Sequence, residues 1–238
     1  MSTLVAERIV AGYGRVEILH GVSMEARAGE VTCVFGPNGC GKSTLLKVIA
    51  GAVGIWSGAV RLGEEELTGL PSHRVLRAGL TMMPQGGGVF PNLTVLENLR
   101  MGAFTVSSRA ARDARIEQVL EGNQRLRERL KVAAGSLSGG EQMSLAIARA
   151  LLVEPSFVLF DEPSAGLSPK LATEALRHAA SLATRGVGVV MIEQNIREAM
   201  RVADRLYIIA GGENRFAGTP ADIDSDRRLM DLYLGASA

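Results

Sequence analysis

This sequence is poor in aromatic residues and has almost no excess of either charge. Phe, Trp and Tyr together make up 4% of its 238 residues, and 26 Lys and Arg stand against 25 Asp and Glu, a formal net charge of +1. A basic surface is the electrostatic footprint of a nucleic-acid binder, so no nucleic-acid partner is expected. Cysteine is nearly absent too. Cys33 and Cys40 are too few for a disulfide framework and lack zinc-ligand spacing, so both are expected as reduced, incidental thiols. No apolar run approaches the roughly 18 residues that span a bilayer. At the N-terminus, MSTLVAERIV places Glu7 and Arg8 where a signal peptide keeps its apolar stretch, and a cytoplasmic protein is expected. Internal repeats and low-complexity tracts are missing as well. What is present is 47% apolar and 21% charged, the balance of one or two soluble globular lobes with a substantial core.

The run VTCVF at 31–35, bounded by Gly29 and Gly36, reads as a buried strand. Shorter strand-like runs precede it near Leu4 to Val10 and Gly21 to Ala26, and a helix follows through Leu45 to Ala50. FVLF at 157–160, GVGVVMI at 186–192 and RLYIIA at 205–210 read as further strands, separated by a helix from Pro169 to Arg185 and a short one after Asn195. Strands alternating with helices predict an α/β fold with a parallel sheet covered on both faces. Residues 94–153 interrupt the alternation with a helical pattern, and charges of both signs interleave in RLRERLK. A helical lobe with a solvated face is predicted there.

GPNGCGKST at 36–44 fits G-x-x-x-x-G-K-[ST] between a predicted strand and a predicted helix, the context that marks a phosphate-binding loop. Gly36, Gly39 and Gly41 let backbone N–H groups turn inward around an anion, and the helix N-terminus adds its positive end. Pro37, Asn38, Cys40 and Thr44 complete the loop; Lys42 is expected at the outer phosphates and the Ser43 hydroxyl on Mg²⁺. GTPases, kinases and motor ATPases share this loop, so the nucleotide's use must come from elsewhere.

FVLFDEP at 157–163 places Asp161 and Glu162 at the end of an apolar strand. Successive strand side chains face opposite ways, so the two acids are expected to do different jobs. Asp161 is expected to hold the metal and Glu162 to polarise the attacking water, with Pro163 keeping Glu162 extended. In LSGGEQ at 137–142, Ser138 and Glu141 have the spacing of a capping box. Gly139 and Gly140 are poor residues for a first helical turn, at a cost of about 1 kcal/mol each, but they leave bare backbone where a second phosphate can approach. VVMIEQN at 189–195 ends an apolar run on Glu193, Gln194 and Asn195, polar punctuation before a helix unless Gln194 has a function.

GPNGCGKST, Gln85, LSGGEQ and FVLFDEPSAGL in this order resemble the ATP-binding subunit of an ABC transporter, over nearly the whole chain from Leu4 to Gly235. By this resemblance no fused membrane or regulatory domain is expected. The resemblance implies one ABC ATP-binding domain over 1–238: a P-loop NTPase with a mainly parallel core sheet (about 1–85 and 154–238), an N-terminal antiparallel β part, and a helical subdomain at about 94–153. AGYGRVEILHGVSM, VFPNLTVLENLRMGAF, IEQN and the ending DLYLG are similar to the smaller ATPase subunit of branched-chain amino-acid importers. Importers for urea or amides share much of this pattern.

By this resemblance, Tyr13 stacks on adenine, Gln85 meets Mg²⁺ and the attacking water, and Ser138 to Gly140 contact the γ-phosphate of ATP held by the opposite subunit. Ser164 to Leu167 match a loop that crosses the dimer interface, where Ser168 replaces the usual Asp. The run Gly86 to Gly88 after Gln85 is expected to be mobile. Gln194 stands where most relatives have His, which implies a neutral γ-phosphate sensor that exchanges no proton. The implied activity is ATP hydrolysis on Mg-ATP, catalysed by Glu162 with Lys42 and Gln194, at the cytoplasmic face of the inner membrane. The implied partners are transmembrane permease subunits, a second ATP-binding subunit that is a copy or a sibling, and indirectly a substrate-binding protein. The rival class is a soluble ABC ATPase acting on DNA or the ribosome; the long coiled-coil insertions or second P-loop of such proteins are missing.

Overall fold

The computed structural model describes residues 2–225, so the DLYLG ending lies outside the described residues. The chain opens with a long hairpin, β1 (Thr3–Tyr13) and β2 (Val16–Arg27), followed by β3 (Val31–Phe35) and α1 (Lys42–Ile49). Next come β4 (Ile55–Leu62), β5 (Glu65–Glu66), α2 (Ser72–Arg77) and β6 (Leu80–Met83). A helical stretch holds α3 (Val95–Gly102), α4 (Arg109–Glu121), α5 (Gln124–Glu128) and α6 (Gly139–Leu151). The alternation then resumes with β7 (Phe157–Asp161), α7 (Pro169–Ala180), β8 (Gly188–Ile192), α8 (Ile196–Met200), β9 (Arg205–Ala210), β10 (Glu213–Gly218) and α9 (Pro220–Ser225).

The strands form two sheets. One is antiparallel in the order β2-β1-β4-β5; the other has six strands in the order β10-β9-β3-β8-β7-β6, parallel except for β10. This is the expected α/β class, with a mainly parallel core sheet and an N-terminal antiparallel part. Period-two alternation sorts the core strands between two hydrophobic clusters. Val34, Phe157, Leu159, Val190 and Ile192 pack with α1 and the antiparallel sheet, whereas Cys33, Phe35, Val158, Phe160, Val189 and Met191 pack with α6, α7 and α8. Burial on both faces explains why these strands read as unbroken apolar runs. In β1 the buried positions change parity, from Leu4 and Ala6 to Ile9 and Ala11, across a register shift where Arg8 sits at φ 47°.

A third cluster joins Val95, Leu99, Ile116, Leu120, Leu126, Leu145 and Leu152 of the helical stretch. A capping box at Thr94 and Glu97 starts α3. The helix expected from Pro169 to Arg185 ends earlier, at Ala180, and a 3₁₀ turn at Ala183–Arg185 leads to Gly186 at φ 82°.

Gly188 opens β8 against the ring of Phe157: a Cβ added there would lie 2.2 Å from Phe157 Cε1. Phe157 is fully buried at the start of the strand that carries Asp161. Gly188→Ala is therefore expected to cost about 1–3 kcal/mol by overpacking, read as a lowered urea midpoint; an unchanged midpoint would show that the ring gives way freely.

Candidate functional site

Between Phe35 and Lys42 the chain leaves β3 and turns into the N-terminus of α1. Gly36, Gly39 and Gly41 have φ of 149°, 79° and 106°, a path that L side chains resist. At two of the three, space is short as well: a Cβ at Gly36 would lie 2.0 Å from the Ile209 carbonyl oxygen and one at Gly41 2.6 Å from Leu19 Cδ2. Cys40 is buried beneath the loop, and its N–H donates to the Pro37 carbonyl at 3.3 Å. Lys42 is 4% exposed, with Nζ donating to the carbonyls of Gly36 (2.7 Å) and Pro37 (3.0 Å). Asn38, Gly39, Gly41, Lys42, Ser43 and Thr44 line a cleft of about 260 Å³ with Ile18 and Glu162. A glycine-rich turn at a helix N-terminus presents backbone N–H groups to an anion.

Alternation along β7 puts Asp161 on the same face as Phe157 and Leu159, toward α1. There Ser43 Oγ donates to Asp161 Oδ1 at 2.9 Å. One hydroxyl and one carboxylate suit Mg²⁺, which retains waters and takes further oxygens from phosphates. They do not suit zinc. Among the described residues no group of three or more His, Cys, Asp or Glu is placed to hold a metal.

Glu162 departs from expectation. Its φ is 52°, in the left-handed region, rather than extended. Proline at 163 restricts its neighbour only by local sterics, and tertiary hydrogen bonds override that preference. Glu162 N–H donates to the Ile192 carbonyl (3.2 Å), and its own carbonyl accepts from Ala165 N–H (3.1 Å). The turn delivers the carboxylate between two carboxamides: Gln194 Nε2 donates to Oε1 at 2.7 Å and Gln85 Nε2 to Oε2 at 3.3 Å. Glu162 also lines a second cleft, of about 390 Å³, with Gln85, Ser164 and Gln194.

Sequence reasoning passed over Glu193. It is 1% exposed, and its carboxylate accepts from Ser164 N–H at Oε1 (3.0 Å), and from Ser164 O–H (2.7 Å) and Gln194 N–H (3.3 Å) at Oε2. Burial pushes its carboxyl above the usual carboxylate range; the donors from Ser164 and Gln194 oppose that rise, and the nearby Glu162 charge adds to it. The signal was in plain view: an acid directly following a five-residue apolar strand, on the parity of the buried Val189 and Met191.

Gly86, Gly87 and Gly88 have φ of 76°, 74° and 61°, all in the left-handed region. Arg149 of α6 donates to the Gly88 carbonyl and lies over the Phe90 ring, 4.7 Å from its centroid. This loop borders an apolar groove of about 320 Å³ where Met101 and Phe104 are 48% and 66% exposed. Ser138, Gly139 and Gly140 line neither of the Glu162 clefts. Ser138 caps α6 in a capping box with Glu141, whose carboxyl is held below its ordinary range by the Ser138 N–H and hydroxyl. Ser138 and Gly140 line a different cleft, facing α5 and α7. Tyr13 ends β1 with its ring 48% exposed and lines neither of the Glu162 clefts.

The sequence matches the model of the ABC transporter family over residues 19–165. It is 40% identical to the high-affinity branched-chain amino acid transport ATP-binding protein BraG of Pseudomonas aeruginosa, over 96% of this chain and 98% of that protein. It is 33% identical to the lipopolysaccharide export system ATP-binding protein LptB of Escherichia coli K12, over 99% of this chain and 98% of that protein. The fold superposes on the ADP conformation of MJ1267, an ATP-binding cassette of an ABC transporter, with a TM-score of 0.87 at 29% identity, covering 99% of each chain. With its glycine loop, paired acids and bracketing glutamines at one sheet edge, the chain belongs to the ABC transporter family as an ATP-binding subunit.

Proposed function

We propose that this subunit hydrolyses Mg-ATP to power an importer of branched-chain or other hydrophobic amino acids. The observation that carries hydrolysis is the carboxylate of Glu162, lining the glycine-loop cleft while two neutral carboxamides hold it. The cargo rests on the full-length similarity to BraG. Similarity to LptB at 33% indicates that the ATP-binding architecture alone does not select cargo.

Phosphate oxygens replace the Gly36 and Pro37 carbonyls as partners of Lys42 Nζ. Ser43 and Asp161 would hold Mg²⁺. When bound, that ion neutralises charge on the phosphates of the nucleotide. Glu162 accepts a proton from the attacking water: each of its oxygens receives one carboxamide N–H, which leaves lone pairs free on both. Gln194 spends one N–H on Glu162 and retains a second for the γ-phosphate. Tyr13 supports the adenine ring from the half-exposed end of β1.

Ser138 to Gly140 complete the site of a second ATP-binding subunit, a copy or a sibling. The position of Ser138 and Gly140 supports this reading, since within one chain they line a cleft without Glu162. The apolar groove beside Gly88, with Met101 and Phe104 exposed, is the surface for a transmembrane permease segment. Among the described residues no helix is long and apolar enough to cross a membrane, so attachment at the cytoplasmic face of the inner membrane is through those permease subunits. A substrate-binding protein completes the importer indirectly.

In the reconstituted complex, Glu162→Gln is expected to lower turnover by about 10²-fold or more while ATP binding persists; retained turnover would remove Glu162 as the base. Gln194→Ala should cut turnover by about tenfold, since it frees one side of that carboxylate, and an unchanged rate would take Gln194 out of the mechanism. Replacing Phe104 with Glu should reduce co-purification with the permease subunits without altering nucleotide binding. Undiminished co-purification would place the docking surface elsewhere.

A further inference from the structure

We propose that Glu193 is a positioning residue that locks Glu162 into its left-handed backbone turn and joins that turn to the loop starting at Ser164. The inference rests on the reading of Glu162 as the base. A non-glycine residue at φ 52° is strained, and such strain persists only where surrounding contacts over-determine it. Two residues beyond Glu162, Ser164 is held at both its N–H and its hydroxyl by the two oxygens of Glu193. Glu193 is itself anchored, because its N–H donates to the Val34 carbonyl of β3 at 3.3 Å. The segment Glu162–Pro163–Ser164 is thereby clamped at its start by the Ile192 carbonyl and at its end by the Glu193 side chain.

The same carboxylate accepts the N–H of Gln194, whose side chain holds Glu162 Oε1. Glu193 thus reaches the base by two routes, one through the backbone of Ser164 and one through the side chain of Gln194. The loop from Ser164 to Leu167 is closed by its own turn, with Leu167 N–H on the Ser164 carbonyl at 3.2 Å. A displacement of this loop by a partner subunit is therefore felt first at the Ser164–Glu193 contact and then at Glu162. A fully buried acid is costly without compensating donors, and here each donor comes from a backbone or side chain next to the reacting centre.

Glutamine cannot replace Glu193. Its carboxamide has one acceptor oxygen, and two backbone N–H donors, from Ser164 and Gln194, point at different oxygens of the present carboxylate. One N–H would face the new NH₂. The Ser164 hydroxyl, by contrast, can be removed while its N–H bond remains.

The test measures ATP turnover and KM of the complex reconstituted with its permease subunits, for Glu193→Gln, Ser164→Ala, the double variant and Glu162→Gln. Glu193→Gln is expected to lower kcat by about tenfold or more, with KM for ATP within about twofold of the parent. Ser164→Ala should lower kcat less, and the double variant should be no slower than Glu193→Gln alone, as for two residues acting through one contact. If Glu193→Gln fails to assemble, Ser164→Ala decides: a fall in kcat at constant KM supports the clamp, and an unchanged kcat overturns it. Turnover lost in Glu162→Gln but kept in both clamp variants, or losses that multiply in the double variant, would overturn this inference alone. Turnover kept in Glu162→Gln would overturn the base assignment and this inference together.

Discussion

Parallel pairing of β3, β8, β7 and β6 is the constraint on which the site depends. The pairs Val34 with Ile192, Asp161 with Ile192, and Met83 with Phe160 bring four C-terminal strand ends to one edge of the sheet. Each strand then delivers its polar group within a few residues of leaving the ladder: the glycine loop after Phe35, Gln85 after Met83, Asp161 and Glu162 at the end of β7, and Glu193 and Gln194 after Ile192. In parallel sheets the crevice beyond the carboxyl ends is where ligands bind. A register slip of one residue would turn Asp161 away from Ser43 and toward the α6–α7 face. The apolar runs that bury both sheet faces resist such a slip, because it would exchange the side chains of the two hydrophobic clusters.

What the sequence made legible was local in origin. The glycine loop, the capping box at Ser138 and the strand VVMI are encoded in spacing over a few residues, and each forms where spacing placed it. β4, β10 and α2 escaped notice for a physical reason. Trp56, Ser57 and Gly58 of β4 are exposed, β10 alternates between exposed and half-buried residues, and α2 buries only Val75. Such elements have little apolar periodicity to read. The conformation of Glu162 was illegible for a different reason, since beside the local Ala165 bond the Ile192 carbonyl and the Glu193 carboxylate that hold this turn come from residues about 30 positions away. The three glycines after Gln85 supply consecutive left-handed torsions, and the Arg149 contact on Gly88 comes from α6, some 60 residues on.

Under the proposed mechanism, Gln194 and Glu193 together would keep the Glu162 base in order at a site where residue 194 is not histidine. An imidazole beside Glu162 would titrate near neutral pH, and two interacting groups share their protons in coupled steps. A carboxamide does not titrate, so a proton taken up by Glu162 in the proposed mechanism would have no second destination on residue 194. Its cost is orientation, because a glutamine side chain has more rotatable bonds than histidine and must be steered. Steering comes from the N–H of Gln194 on Glu193 and from the 2.7 Å bond to Glu162. The two carboxylates also act on each other as like charges. Ser164 and Gln194, through which Glu193 would reach Glu162, carry no titratable side chain, so the proposed positioning is set by hydrogen-bond geometry and not by a change of their charge.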